Sequence, residues 1–327
     1  MKYRLLGKTG FKVSEIGYGS WAIGSEWGDV TEEQAHAALA CLPEAGINFI
    51  DTADVYGDGR SEKLIGEYLS KTKTRTFVAT KIGRRLSPHI VDNYSKDNLF
   101  SFVDRSCKNL NTQCLDLLQL HTPPTEIYYK PEVFSYLDEL VKRKKIKFYG
   151  VSVEKVEEGL KAIEYPNVST VQIIFNMFRQ RPMELFFNEA KKRNIGVIVR
   201  VPLASGLLTG KFNLFSRFPN NDHRKYNRNG EKFDVGETFA GINYKIGLKA
   251  VEKLKKIKPK EISMAQFALR WILMQKGVST VIAGGKTPKQ ILENSLASNC
   301  KTINPIIMDS VTDVYNQYAK EQVHFRW

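Results

Sequence analysis

Eight apolar runs limit what this chain can become. They fall at 16–20, 47–50, 76–80, 115–120, 147–151, 170–175, 196–201 and 279–283. Each is close to continuous rather than alternating, the pattern of a parallel strand covered on both faces. Stretches with helical spacing separate them. The first, 31–45, is opened by a Thr31/Gln34 capping box and closed at Gly46. Further helices are expected at 61–70, 95–110, 131–144 (with Pro131 in its first turn), 154–163 and 182–193. Two more, 243–256 and 263–275, precede the last strand, and 288–298 and 307–320 follow it. A hairpin of 3–6 and 12–15 around Gly7-Lys8-Thr9-Gly10 comes before the first run. Eight strand–helix units in a chain of 327 residues predict a (β/α)8 TIM barrel with an N-terminal β-hairpin, one domain over 1–327.

The competing architecture is a doubly wound sheet. Its nucleotide fingerprint is nearly present at Gly17-Tyr18-Gly19-Ser20-Trp21-Ala22. That fingerprint needs a helix to open at the glycines, so that its N-terminus faces the pyrophosphate. Here Gly24 and Gly28 prolong the loop and no helix starts before Thr31, so the fingerprint is rejected. A net charge of +14 raises the question of anionic partners. The basic residues are spread over helix patterns such as 142–145 and 253–260, with no aromatic strand-binding motif beside them, so a solvated surface is expected rather than a nucleic-acid site. Cys41, Cys107, Cys114 and Cys300 form no CxxC pair, which indicates neither a metal site nor a disulfide framework. The N-terminal stretch has no apolar core of a signal peptide, and no run is long enough to span a membrane. A soluble, cytoplasmic chain is expected.

Chemistry concentrates at strand ends. The stretch 48–57, NFIDTADVYG, places Asp51 at the end of the second run and Tyr56 in the loop after it. Lys81 follows the third run and His121 the fourth. In a barrel all strand C-termini meet on one face. Taken singly, each residue has a structural reading, a rim salt bridge or a buried histidine; together, at three consecutive strand ends, they do not. An ammonium beside a phenol favours the phenolate and lowers its pKa toward working pH. A carboxylate would hold the lysine charged, and a histidine could donate a hydrogen bond to a carbonyl oxygen.

With these residues placed, the sequence resembles the aldo-keto reductase family over essentially its whole length. The motifs that carry the resemblance are NFIDTADVYGDGRSEKLIGEYL, ATKIG, DLLQLH, FYGVS, VQIIFN, PLASGLLTGK and KTPKQILEN. The family implies a barrel with an N-terminal hairpin, and NAD(P)H-dependent reduction of aldehydes and ketones without a metal. It implies Tyr56 as general acid, Lys81 and Asp51 as its tuning pair and His121 as the residue that orients the carbonyl.

The resemblance also implies a cofactor site. Gly19, Ser20 and Trp21 follow the first strand, and Ser152 and Gln172 match the pair on the nicotinamide carboxamide, with Asn176 on the rim beside them. Val153 stands where relatives often have Asn. Arg200 stands where relatives place an aromatic ring on the nicotinamide; its guanidinium is planar and can stack, or it can turn to solvent. Pro202, Leu203, Gly206, Leu208, Gly210 and Lys211 belong to the pyrophosphate loop, whose backbone N–H groups are expected to contribute. Gly284, Gly285, Lys286, Thr287, Gln290, Glu293 and Asn294 surround a helix start, with Lys289 in its first turn. An anion relieves a cationic helix start, so NADPH is expected over NADH. Trp21 and Trp27, with Tyr56 and His121, are the expected substrate wall, to which Pro123, Pro124 and Tyr128 could add. The stretch 218–239 is long for a bare loop and reads as a lid, with Asp222-His223-Arg224 as possible phosphate contacts. Two functions follow: a reductase of small-molecule carbonyls, or an NADPH-binding regulatory subunit with slow turnover, since the family includes channel-associated members.

Overall fold

The computed structural model describes residues 1–24 and 27–327. Its centre is a closed barrel of eight parallel strands. The strands are β3 (Ile16–Gly19), β4 (Phe49–Asp51), β5 (Phe77–Ile82), β6 (Leu115–His121), β7 (Ile146–Ser152), β8 (Val168–Ile174), β9 (Gly196–Arg200) and β10 (Val278–Gly284). They pair in sequence order, and β10 closes on β3. The expected hairpin is β1 (Tyr3–Leu5) with β2 (Lys12–Ser14), paired antiparallel.

That hairpin decides which end of the barrel is free. Leu6 and Val13 are buried against Phe49, Ala79, Leu117, Ile198 and Ile282. Phe11 joins this plug, stacked on Phe77 at 4.3 Å and edge-on to Phe148 at 5.2 Å. Side chains along a strand alternate between faces. The residues that follow these apolar positions on the same face, Asp51, Lys81, Gln119, His121 and Arg200, therefore lie inside the barrel toward its other end. The hairpin fills the bottom with rings, and the polar groups collect at the C-terminal mouth.

The outer helices arise where apolar spacing predicts them, with shifted ends. The first is α1 (Glu32–Ala40), whose Thr31/Gln34 capping box is formed. It stops short of the expected 31–45 and gives way to turns ahead of Gly46, because Pro43 has no N–H to continue the ladder. Next are α2 (Arg60–Lys71), α3 (Lys96–Asn109), α4 (Pro131–Lys142) and α5 (Val156–Ala162). The expected 182–193 helix is split into a 3-10 turn at Arg181–Met183 and α6 (Phe186–Lys192). The stretch after β9 is not bare loop. It holds a 3-10 segment Ala204–Thr209, the single turn α7 (His223–Tyr226) and 3-10 turns Val235–Glu237 and Phe239–Gly241. Then come α8 (Tyr244–Ile257) and α9 (Met264–Leu273) before β10, and α10 (Pro288–Ser295), α11 (Pro305–Tyr318) and α12 (Lys320–Val323) after it. Among the described residues no helix is long and apolar enough to cross a membrane.

Candidate active site

The register of β4, β5 and β6 brings the predicted groups together. Lys81 pairs with Gln119 across the β5–β6 ladder, and Asp51 with Ala79 across β4–β5. Lys81 Nζ lies 2.6 Å from Asp51 Oδ2, 2.8 Å from the Thr52 carbonyl oxygen and 3.2 Å from Tyr56 Oη. An ammonium has three protons, and each has an acceptor here. Lys81 is thereby locked, with 1% of its side chain exposed. Asp51 is held from its other oxygen, which accepts from Gln172 Nε2 at 2.7 Å and from Gln119 Nε2 at 3.2 Å. Tyr56 Oη accepts its bond from Lys81, so its own proton is directed elsewhere. No acceptor for that proton is found among the described residues, and Tyr56 lines the cavity above.

The electrostatics differ from the sequence expectation in one respect. Proximity to Lys81 was expected to lower the Tyr56 pKa. The phenol is instead raised well above its ordinary value, by burial first and then by the carboxylates of Asp51 and Glu237, against Arg84 and Arg200. The reason is that Lys81 does not act as a bare charge, since Asp51 neutralises it at contact distance. Burial also lowers the Lys81 ammonium, with Asp51 opposing. The phenol is therefore held protonated. His121 is pushed well below its ordinary value by burial and by Arg84, Lys81 and Arg200, so the imidazole is neutral. Its ring stands edge-on to Tyr56 with centroids 5.9 Å apart, and Nδ1 is buried without a partner among the described residues.

A cavity of about 400 Å³ opens above this group. At one end it is lined by Asp51, Tyr56, His121, Gln172 and Arg200, and along its length by Gly19, Ser20, Pro202, Leu203, Gly206 and Lys211. At the far end it meets Gly284, Gly285, Lys286, Gln290, Glu293 and Asn294, all on or just before α10. Trp21 and Trp27 form a wall, their rings edge-on at 5.6 Å, and Trp21 stacks on Tyr56 at 5.9 Å. The approach of this wall to the catalytic loop is close. A Cβ on Gly24 would lie 2.8 Å from the Tyr56 backbone, so only glycine fits there.

The segment 218–239 covers the cavity. Trp27 and Asp222 form an isolated antiparallel bridge. His223 packs its ring 4.8 Å from Trp21 and 4.5 Å from Trp27. Asn227 stitches the segment internally, its Oδ1 accepting from the N–H groups of Lys232 and Phe233 at 2.8 and 2.9 Å. Arg224 lines the cavity, paired with Asp222 at 2.5 Å and lying 4.8 Å over the Trp27 ring. Lys286 Nζ donates to the Trp27 carbonyl and ties the far end to the same wall.

Several expected contacts are placed differently. Asn176 is not on the rim: it is buried, its Nδ2 donates to the Val201 carbonyl at 2.9 Å and its Oδ1 accepts from Phe178 N–H. Ser152 sits beneath the cavity, with Oγ 3.4 Å from Gln172 Oε1. Gly206, Leu208 and Gly210 use their N–H groups inside their own 3-10 turns, on Leu203 and Leu207 carbonyls. Those three amides are therefore engaged within the turns, while the side chains of Lys211 and Arg224 line the cavity beside them. Leu208 is core, Gly210 ends the turn in the left-handed region, and Thr287 caps α10 from outside the cavity wall. Gln290 Oε1 accepts from the Lys286 N–H at 2.8 Å, one residue before the cap residue Thr287. Lys289 is exposed, and Pro123, Pro124 and Tyr128 do not reach the cavity. Arg200 is not turned to solvent: it is buried, lines the cavity and is ion-paired to Glu154 at 2.7 Å.

Residues 15–315 match the description of the Aldo/keto reductase family. The chain belongs to that family. An aldo-keto reductase of Schizosaccharomyces pombe whose name specifies NADP(+) is 30% identical over 291 residues, spanning 86% of this chain and 83% of that protein. A probable voltage-gated potassium channel subunit beta of Arabidopsis thaliana is 27% identical over 343 residues and all of both chains. The solved structure of a glycerol dehydrogenase from Gluconobacter oxydans superposes with a TM-score of 0.79 at 27% identity, over 97% of this chain and 96% of that one.

Within this aldo/keto reductase three charged residues at the mouth escaped the sequence reading, Arg84, Glu154 and Glu237, and with them the ion pairs of Arg200. Gln119 escaped it too. A signal existed for Gln119, which sits two residues before His121 and so on the same strand face. No local pattern marks the others.

Proposed function

We propose that this chain is an NADP(H)-dependent oxidoreductase that reduces aldehyde or ketone carbonyls to alcohols, acting as one domain over 1–327 in the cytoplasm. The observation that carries this reading is the Tyr56 phenol, kept protonated, aimed into a cavity, and braced from behind by an ammonium with no free donor. A carbonyl oxygen entering the cavity accepts a proton from Tyr56 and a hydrogen bond from neutral His121. As the phenolate forms, Lys81 stabilises it at 3.2 Å without moving, since Asp51 and the Thr52 carbonyl hold it in place. Gln119 and Gln172 keep the Asp51 carboxylate from turning away.

The nicotinamide cofactor supplies the hydride when bound. The residues present fit such a group. The cavity runs from the reaction centre to the start of α10, with Lys211, Arg224 and Lys286 along it as cations for an anionic chain. Val201 and Ser205, both lining it, hold positive φ angles of 53° and 54°, strain of the kind kept at binding sites. The preference for NADPH rests on Lys286 and Gln290 at the α10 start, and the name of the Schizosaccharomyces pombe relative, which specifies NADP(+), supports it. Trp21 and Trp27 suit an apolar body on the substrate.

The test is turnover of a panel of aldehydes, ketones and diols with NADPH and NADH, followed by absorbance. Sustained turnover with any of them supports the reading. Tight cofactor binding with a single slow turnover would replace it by a regulatory subunit, the role named for the Arabidopsis relative.

A further inference from the structure

The three charged residues that sequence reading missed, Arg84, Glu154 and Glu237, form one cluster with Arg200. Arg84 follows β5, Glu154 follows β7, Arg200 ends β9, and Glu237 comes from the covering segment. Arg200 Nη2 lies 2.7 Å from Glu154 Oε1, and Arg200 Nη1 lies 3.7 Å from Glu237 Oε2. Arg84 Nη2 donates to Glu237 Oε1 and sits 3.5 Å from Glu154 Oε1, while its Nε donates to Thr122 Oγ1 at 2.7 Å. Three members stand at strand ends, where the barrel fixes them. Only Glu237 arrives on the long connection, and it lines the cavity together with Arg200, Tyr56 and His121.

We propose that Glu237 is the residue through which the covering segment takes part in the reaction: seated between the Arg84 and Arg200 guanidinium groups, it is the counter-charge that sets the field at Tyr56 and makes that field depend on closure. The second half rests on the reading of Tyr56 as proton donor. The chain that presents Glu237 is built for the position. Ser205 Oγ donates to the Glu237 carbonyl at 3.0 Å and accepts from Phe239 N–H at 3.1 Å. A Cβ on the neighbouring Gly236 would lie 2.7 Å from Arg179 Nη1 and 2.9 Å from the Trp327 ring, so the backbone is pressed inward against the C-terminal tryptophan.

Glu154 does not share the role equally. Burial pushes its carboxyl well up, with Glu237 adding to this and Arg200 opposing, and its Oε2 is buried without a partner among the described residues. Burial would also raise Glu237, but Arg84 and Arg200 outweigh it and hold that carboxyl below the usual range. Glu237 is thus the settled negative charge between two cations. The groups that face it are Arg84 after β5, Glu154 after β7, Arg200 on β9 and His223 on its own segment, while Arg179 after β8 and Asp234 act on Glu154. Those that face Tyr56 are Asp51 on β4, Lys81 and Arg84 on and after β5, His121 on β6, Arg200 and Glu237. With Glu237 in place three cations (Lys81, Arg84, Arg200) face two carboxylates there; without it they face Asp51 alone, and closure is what supplies the second carboxylate.

The experiment compares Glu237→Gln with Arg84→Met and Arg200→Met. Reduction requires the phenol to carry its proton, so the rate falls as pH rises past the phenol pKa. Removing a negative charge lowers that pKa, and the falling limb in Glu237→Gln moves to lower pH by about one unit, the low end for a close charge. Removing either guanidinium moves the limb to higher pH. Glu237→Asp keeps the wild-type limb. A structural defect alone would lower the rate in all variants without shifts of opposite sign. An unshifted limb in Glu237→Gln, or one that moves with the arginine variants, overturns the proposal. Hydrogen exchange over 222–239 provides a readout that needs neither cofactor nor substrate. Lost protection in Glu237→Gln supports the seating between the guanidiniums, and unchanged protection overturns the proposal whatever the rates. A wild-type protein that reduces no carbonyl refutes the reductase reading separately, and exchange then decides the seating.

Discussion

The two ends of the cavity are held in different ways. At the reaction centre, Asp51, Lys81, Gln119, His121 and Gln172 all stand on barrel strands, and Tyr56 follows within one short loop. Their bonds run between backbones already fixed by eight parallel ladders. At the far end, the cavity is closed by the segment 218–239, by Trp27 and by Lys286, none of them on a strand. Its contacts are ring on ring, a short Asp222–Arg224 pair and a lysine on a carbonyl. The difference shows a division of labour. Proton transfer needs groups fixed to a fraction of an ångström, and strand ends provide that. Enclosing and releasing a ligand needs a part that can open, and long connections provide that.

Four measurements can break or sharpen this contrast, beginning with the largest effect. Tyr56→Phe keeps the ring on Trp21 and removes the proton. Turnover should fall roughly a hundredfold to ten-thousandfold with cofactor affinity unchanged, because the loss lies in general acid catalysis alone. Near wild-type turnover in a steady-state assay would remove Tyr56 from the mechanism.

Lys81→Met attacks the rigid end through stability. It strands the Asp51 carboxylate, 2% exposed, without its cation. Breaking a buried pair from one side costs about 3–5 kcal/mol. Denaturant unfolding should show that loss, and Asp51→Asn a smaller one, since Gln119 and Gln172 can still bond the amide oxygen. If both unfold like wild type, the reaction centre is not the rigid half.

The covering end should respond to acid. Burial pushes the His223 imidazole down to about 4, against the raising effect of Asp222. The unfolded segment titrates near pH 6.5. Stability from neutral His223 is therefore complete above about pH 6.5 and is lost as pH falls toward 4, up to about 3 kcal/mol. Hydrogen exchange over 222–239, corrected for intrinsic rates, should rise between pH 7 and pH 5 while β5 and β6 stay protected. Equal loss in both regions would erase the contrast.

The smallest effect concerns Lys286. It already donates to the Trp27 carbonyl, and burial lowers its ammonium, so only part of its charge serves a ligand. Lys286→Ala should weaken NADPH about tenfold, the lower range of a charge-assisted contact, and NADH by about twofold or less. Titration by nicotinamide fluorescence measures both. Equal losses for the two cofactors would make Lys286 a tie for Trp27 and nothing more.

What the sequence by itself determined are the features written in nearest neighbours. Continuous apolar runs at regular spacing demand parallel strands buried on both faces, and the hairpin and the Thr31 capping box follow from residues close in sequence. Tyr56 lies in the loop directly after Asp51, so their nearness needed no tertiary knowledge, and Lys81 and His121 followed once the strand ends were known to converge. Only the tertiary structure decided the rest. Gln172 reaches Asp51 across 121 residues, and Glu237 reaches Arg84 across 153. Asn176, read as a rim residue, turned its amide to the backbone because the buried turn after β8 left groups there to satisfy. The sign of the Tyr56 shift was decided the same way. A lysine near a phenol predicts a lowered pKa, but burial and the neutralising carboxylate outweigh it. Residue type and spacing specify which charges a chain owns. How dry they are and which opposite charge stands beside them depend on the packing of every element at once, and those two quantities set their chemistry.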